Sequence, residues 1–351
     1  MGVLEVDEAT LPRVLGRLAP RVLVVTNLFR DQLDRFFELD ALAKRIAAAI
    51  ATLPATTTLV LNADDPIVAS LAQGHRGPAS FFGVDDPAVG GTVPQAISDA
   101  TRCPRCRAPL AYRRVVLAHV GDWSCTSCGF ARPARDLAAA RVTLAAGSTT
   151  LDLAGMGAAI DPVTVPLPGL YNAYNALAAL AAAGALGIGL ATATRALASF
   201  RPAFGRLERV EAEGRTLRLV LVKNPAGFNA AIGALLETGR RPRLLAALND
   251  RDADGRDVSW IWDADFEALA PRVEHAVLTG LRARDLAVRF KYAGVDAARL
   301  EVVEPWRDAV ARALAAAPVG DEVVVIATYT AMLALREALA DLGHVGRFWE
   351  D

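Results

Sequence analysis

Short apolar runs, each closed by a polar residue, recur along this chain with helical stretches between them. Arg21–Thr26, Thr58–Leu61 and Ser80–Val84 are such runs in the first half; the pattern restarts near 216–222, 243–248, 274–279, 299–303 and 322–327. A run this short with no polar alternation is buried on both faces, which is the condition of a parallel strand covered by helices. The amphipathic stretches between them, Leu11–Leu18, Asp31–Thr52, 66–73, 171–187 and 191–199, supply those helices. The chain therefore reads as α/β with mostly parallel sheets. At 351 residues it exceeds one ordinary core. The Pro- and Gly-containing stretch Arg201–Arg206 is the expected linker, giving parts 1–205 and 206–351. The second is long enough for its own Rossmann-like layer. Val3–Val6 reads as the end of a further strand.

Residues of about 94–160 break the alternation and read as an inserted small β element, with strands at Ala111–Leu117, Arg141–Leu144 and Thr149–Leu153. All four cysteines lie there, as Cys103-Pro-Arg-Cys106 and Cys125-Thr-Ser-Cys128. Each Cys-x-x-Cys turn points two thiolates at one ion. Two such knuckles make a closed sulfur shell, the structural form of a zinc site with no position left for catalysis. Redox pairs, or iron in place of zinc, are the other readings of this spacing. Zinc would contribute folding energy to an insertion with little core of its own. His119, between the knuckles, reads as an ordinary side chain. Arg105, Arg107, Arg113 and Arg114 admit a nucleic-acid-binding ribbon, but 38 basic against 39 acidic residues leave a net charge of -1 and no global field for it. No apolar run reaches the length of a membrane span, and the acidic start lacks the basic region of a signal peptide, so a cytoplasmic protein is expected.

Polar residues gather where strands should end. Asn27 to Arg35, Asn62 to Asp65 and Gly169 to Asn175 suit a nucleotide site. Asn172 and Asn175 share a helix face, where two carboxamides either bracket a planar heterocycle or cap the helix. Arg206 can reach a phosphate or cover surface, and Glu5 can hold Mg²⁺. No Gly-x-x-x-x-Gly-Lys-Ser/Thr phosphate loop occurs. The densest cluster is Asn249–Asp263, with five carboxylates and two tryptophans in fifteen residues after the apolar run Leu244–Leu248. It is either a solvated capping loop or a site for a ligand or partner.

Together these pieces resemble the Mur ligase family, and within it the MurT-like synthase subunits. The stretches that carry the resemblance are Glu5-Val-Asp-Glu8, Thr26–Arg35, Asn62-Ala-Asp-Asp-Pro66, the four-cysteine ribbon, Leu167–Leu177, Phe204–Glu208, Lys223–Asn229, Asn249–Asp263 and Thr328–Leu333. The resemblance implies a Mur ligase-type middle domain at 1–205 carrying the zinc ribbon, and a C-terminal α/β domain at 206–351. It implies Mg²⁺ at Glu5, adenine at Asn172 and Asn175, and nucleotide at Arg206. Gln32 stands where many Mur ligases carry histidine. Asp257 matches the aspartate offered to a partner, a class-I glutamine amidotransferase of the GatD type whose Cys and His it would complete. The implied activity, acting at the inner face of the membrane in peptidoglycan biosynthesis, uses Mg·ATP and glutamine to amidate the α-carboxylate of D-glutamate in lipid II.

MurT-like proteins carry a Gly-Lys-Thr phosphate loop ahead of the Glu-x-Asp-Glu strand, and this sequence starts inside that strand. The expectation is an incomplete middle sheet and no ATP-dependent ligation by the chain as given. The competing readings are an ATP-independent scaffold that only activates the glutaminase, and a Mur-type ligase that adds an amino acid.

Overall fold

The computed structural model of the chain describes residues 2–29, 39–92, 99–145, 147–156, 161–200, 206–237 and 241–346, in two compact units, 1–201 and 202–351.

The first unit opens with α1 (Leu11–Leu18), β1 (Val22–Val25), α2 (Leu39–Ile50), β2 (Thr58–Asn62), α3 (Pro66–Ser70) and β3 (Ala79–Val84). A hairpin follows, β4 (Leu110–Leu117) and β5 (Val120–Cys125). Then come β6 (Leu137–Ala145), β7 (Ser148–Gly155), β8 (Val163–Val165), α4 (Leu170–Ala185) and α5 (Leu190–Ala198). The main sheet runs β1-β2-β3-β6-β7-β8. Its first four strands are parallel and its last two pairings antiparallel. Side chains alternate across it as the pleat requires. On β2, Leu59 and Leu61 join Ile46, Ile50 and Leu15 on one face, while Val60 joins Leu177 and Leu180 of α4 on the other. A helix on each face explains why β2 shows no polar alternation.

Two expectations need correction in this unit. Val3–Val6 is not a strand: no described strand pairs with it, and Val3 and Leu4 are 87% and 68% exposed. A strand without a ladder partner leaves its amides to water. The stretch 94–160 is not one small inserted element. β6 and β7 are central members of the main sheet, with Leu137, Ala139, Val142 and Leu151 in its core. Only the β4–β5 hairpin and its cysteine turns stand apart as a separate sheet. The alanine-rich Leu137-Ala-Ala-Ala-Arg141 disguised β6, since it lacks the β-branched residues that mark a strand. Most of the expected first turns of the helix at Asp31–Thr52, and Gln32 with them, lie outside the described residues.

The second unit comprises β9 (Arg206–Ala212), β10 (Arg215–Leu221), α6 (Pro225–Glu237), β11 (Arg243–Ala247), α7 (Phe266–Leu269), β12 (His275–Thr279), α8 (Ala283–Tyr292), β13 (Leu300–Val302), α9 (Trp306–Ala315), β14 (Glu322–Ala327) and α10 (Tyr329–Asp341). The sheet order is β13-β12-β11-β14-β10-β9. All neighbours are parallel except β9, which pairs antiparallel with β10. The sequence gives no strand signal at β9, because four of the seven residues of Arg206-Leu-Glu-Arg-Val-Glu-Ala are charged. That composition belongs to an edge strand, where charges discourage further pairing. Glu213 and Gly214, at φ 50° and 72°, make the tight turn into β10.

α6, α7 and α8 pack on one face of this sheet, α9 and α10 on the other. The chain leaving β11 thus passes to one face and the chain leaving its neighbour β14 to the opposite one. That divergence is the topological switch point of an open α/β sheet, where a crevice forms at the carboxyl ends of the strands. Asn249–Asp263 begins there.

Candidate functional site

In the first unit the hairpin brings the four cysteines together. Their Sγ atoms all lie within 4.8 Å of one another. Cys103–Cys128 and Cys106–Cys125 approach to 3.7 and 3.5 Å. A tetrahedral sulfur shell with metal bonds of about 2.3 Å has edges of about 3.7 Å, so the set can share one ion. The N–H groups of Cys128 and Ser127 donate to Cys125 Sγ and lower its thiol to about 6. Cys106 goes the other way, up to about 12: the Ala108 N–H lowers it, but the neighbouring sulfurs, Cys125 first, more than offset that. Four sulfurs this close cannot all be thiolates without a cation to hold their charge. Among the described residues no other group of three or more potential ligands gathers in this way. Glu5 is exposed on the unpaired segment and joins no such cluster.

The hairpin reaches the ends of the main-sheet strands through buried polar bonds. Trp123 Nε1 donates to the Ala63 carbonyl (3.1 Å) and the Gly121 amide to the Asp64 carbonyl (2.8 Å). Arg132 donates from Nε to Asp64 Oδ1 (2.7 Å), from Nη1 to Asp85 (3.0 Å) and from Nη2 to the Val84 carbonyl (2.9 Å). Asp64 also accepts from the Val84 amide and the Tyr174 hydroxyl. Asp65 caps α3 through the Ile67 and Val68 amides and accepts from the Leu28 amide (2.9 Å). Asp64 and Asp65 are fully buried and committed to these bonds, so they are structural rather than open to a nucleotide. Burial pushes the Asp64 carboxyl above its usual range even with Arg132 beside it. Arg132→Ala leaves that carboxylate without its cation and is expected to cost about 3–5 kcal/mol. The deficit, read by urea denaturation, shrinks as pH falls from above the raised folded value of Asp64 toward its ordinary 3.8, because the buried group then takes up a proton.

Asn172 and Asn175 lie on the first turns of α4. Asn172 Nδ2 donates to the Pro168 carbonyl (2.8 Å) and Asn175 Nδ2 to Asn172 Oδ1 (3.3 Å). Neither caps the helix, whose N-cap is Gly169. Asn172 is buried and Asn175 exposed, so the pair presents one free carboxamide edge. Arg206 opens β9, and its side chain lies outside the described residues.

In the second unit the loop after β11 is pinned at both ends. Asn249, 2% exposed, ties three strand ends together. Its amide donates to Thr328 Oγ1 (3.0 Å) and its Nδ2 to Thr330 Oγ1 (2.9 Å), while its Oδ1 accepts from the Leu281 amide (2.9 Å). Gly280 makes this possible: a Cβ there would sit 2.6 Å from the Leu248 carbonyl, and its φ is +97°. Buried Asp254 accepts from the Thr330 amide (2.7 Å) and hydroxyl (2.5 Å). At the far end Arg289, also buried, donates to the Ile261 and Ala264 carbonyls (2.8 and 2.7 Å) and pairs with Glu267. Trp260 is half-buried edge-on to Phe228, and Trp262 is 51% exposed beside Tyr292.

The remaining carboxylates now separate. Asp250 pairs with Arg282 and Asp252 with Arg256. Asp257 is exposed, and its Oδ1 accepts from the Ser259 amide (2.8 Å), which fixes the side chain at the start of the 3₁₀ turn Ser259–Trp262. Among the described residues its other oxygen has no protein partner. Asn249, Asp254 and Arg289 hold this geometry. Their partners lie tens of residues away, so local pattern carries no trace of the contacts.

Known proteins match this architecture. The family model described as MurT ligase C-terminal matches residues 221–332. Among solved structures, a pseudomurein peptide ligase type C from Methanothermus fervidus superposes with a TM-score of 0.69 at 22% identity, over 94% of this chain and 65% of that one. This supports a Mur ligase-like α/β fold. The lipid II isoglutaminyl synthase (glutamine-hydrolyzing) subunit MurT of Staphylococcus aureus strain COL is 32% identical over 298 residues, 84% of this chain and 65% of the relative. Its counterpart from Streptococcus pneumoniae is 33% identical over 344 residues, 97% of this chain and 74% of the relative. This chain thus spans 65–74% of the length of these relatives, and at that identity, sustained across both units, it belongs to the MurT family.

Proposed function

We propose that the chain is the synthase subunit of a glutamine-hydrolysing lipid II isoglutaminyl synthase, working with a class-I glutamine amidotransferase. The observation that carries this reading is the 33% identity to the Streptococcus pneumoniae subunit over 344 residues, which includes both units. The α-carboxylate of D-glutamate in the stem peptide is a poor electrophile. Phosphoryl transfer from ATP converts it to an acyl phosphate; ammonia released from glutamine by the partner then displaces phosphate and leaves D-isoglutamine. Asn172 and Asn175 would meet the adenine edge, Arg206 the phosphates, and Glu5 a Mg²⁺ ion. Mg²⁺, when bound, neutralises phosphate charge. Asp257 would hold the partner's catalytic imidazole from its far nitrogen. The four cysteines fit Zn²⁺ by donor type and spacing, as a structural ion. Among the described residues no helix is long and apolar enough to cross a membrane.

The test is product analysis. The protein, joined to a MurT-type segment that carries the Gly-Lys-Thr phosphate loop, is incubated with its amidotransferase partner, glutamine, Mg·ATP and lipid II. The expected product carries the carboxylate-to-carboxamide mass change on D-glutamate, with one ATP consumed per amide. A product extended by an amino acid would replace this reading with a Mur-type peptide ligase.

A further inference from the structure

His119 sits in the turn between β4 and β5 and is 0% exposed. Neither of its ring nitrogens has a hydrogen-bond partner. Its Nε2 lies 3.3 Å from Asp65 Oδ2, close but not aligned as a hydrogen bond. Its ring meets that of Phe29, with centroids 4.8 Å apart. The same Asp65 oxygen accepts from the Leu28 amide at 2.9 Å. The hairpin turn, the capped start of α3 and the segment leaving β1 therefore meet at one buried carboxylate. All of this lies at the carboxyl ends of β1 and β2, where an open α/β sheet meets its ligands.

The cysteines flank the other end of the same hairpin. β4 runs from Leu110 to Leu117, so roughly 25 Å of paired strand separates the sulfur cluster from His119. Buried bonds from Gly121 and Trp123 on β5, and from Arg132 beyond the second cysteine turn, keep this hairpin against the sheet. A paired strand so fixed transmits position and does not bend freely.

We propose that the hairpin is a strut and that His119 is a positioning residue: through Asp65 and Phe29 it orders the Asn27–Phe29 segment, so that the ion in the cysteine cluster sets the order of a strand end remote from it. This does not depend on which acceptor the enzyme amidates. A ribbon that acted only through Arg132 and Asp64 would loosen β2 and β3 without the order of Leu28 depending on His119.

The experiment is hydrogen exchange on the full chain loaded with Zn²⁺, read at the Leu28 amide and at control amides in β7 and β8. His119→Ala should keep one ion per chain yet speed exchange at Leu28 by about tenfold, with β7 and β8 unchanged. His119→Gln, which keeps a polar side chain against Asp65, should restore most of the protection. Chelating the ion from the unaltered protein should also expose Leu28, and this measurement decides the matter if His119→Ala does not fold. The proposal is overturned if Leu28 stays protected after His119→Ala or after chelation, or if exchange rises equally at β7 and β8.

Discussion

Removing the ion from the cysteine cluster should open the ribbon to protease while the second unit stays intact. The ribbon's own core is small: Ala69, Cys103, Trp123, Cys125 and Phe130 are its buried apolar members. Five side chains, one of them lent by α3, do not offset the ordering of some forty residues. On the proposed zinc assignment an ion supplies the difference, and structural zinc sites contribute on the order of 10 kcal/mol in isolated peptides. Even if only about 3 kcal/mol of that is felt here, the population open to cleavage rises about a hundredfold. Trypsin is a suitable probe, because the ribbon carries exposed Arg102, Arg105, Arg107 and Arg113. Cys125→Ser should act like the chelator, with metal content falling to near zero by mass spectrometry. Retention of the ion by Cys125→Ser, or equal cleavage rates with and without metal, would contradict the four-sulfur assignment. A broader consequence follows from the contacts at Asp64. When the hairpin leaves, Arg132 leaves with it, and a buried carboxylate in the main sheet loses its cation. Destabilisation should therefore spread into β2 and β3.

Much of the architecture was legible because burial on both faces writes a simple signature. Thr58–Leu61 and Glu322–Ala327 are apolar runs because helices cover them above and below. The gathering of the cysteines was legible for a different reason: two tight turns of fixed short spacing bring two sulfurs together within each pair. What local pattern could not supply was anything set by distant contacts. The pair Asp64–Arg132 joins residues 68 positions apart, and no property of either neighbourhood announces it. The same holds for Asn249, whose hydrogen bonds to Thr328 and Thr330 decide where the Asn249–Asp263 loop begins. β9 and β6 were missed or misplaced because their compositions reflect an edge and a small-residue core rather than strand propensity. Asn62–Asp65 misled in the opposite sense. Polar residues at a strand end suit a ligand, yet here Arg132 takes up the Asp64 carboxylate, and Asp65 caps α3 and accepts from the Leu28 amide.

Asp257→Asn is expected to abolish most of the glutaminase activity that the chain confers on its amidotransferase partner, by about 10³–10⁴-fold in kcat. The reasoning starts from the side chain's setting. Asp257 is exposed, so the substitution removes no core contact, and an asparagine oxygen can still accept the Ser259 amide that orients the side chain. What disappears is the negative charge. A carboxylate on the far nitrogen of a catalytic imidazole selects the tautomer that can take a proton from the thiol, and then stabilises the resulting cation. A carboxamide does neither, and can present an N–H that holds the wrong tautomer. The loss should therefore fall on kcat, with affinity between the two proteins and thermal stability of the chain nearly unchanged. Asp250→Asn and Asp252→Asn are the controls on the same loop. Their carboxylates are paired with Arg282 and Arg256, so they should change the stimulated rate by less than about threefold. Asp254→Asn should behave differently again, lowering stability because it disturbs the buried bonds to Thr330, and affecting rate only as far as the loop moves. A stimulated glutaminase rate that survives Asp257→Asn would remove the residue from the partner's catalytic apparatus and leave it as a cap on the 3₁₀ turn. A rate lost equally in all four variants would point to the loop's shape, rather than one charge, as what the partner reads.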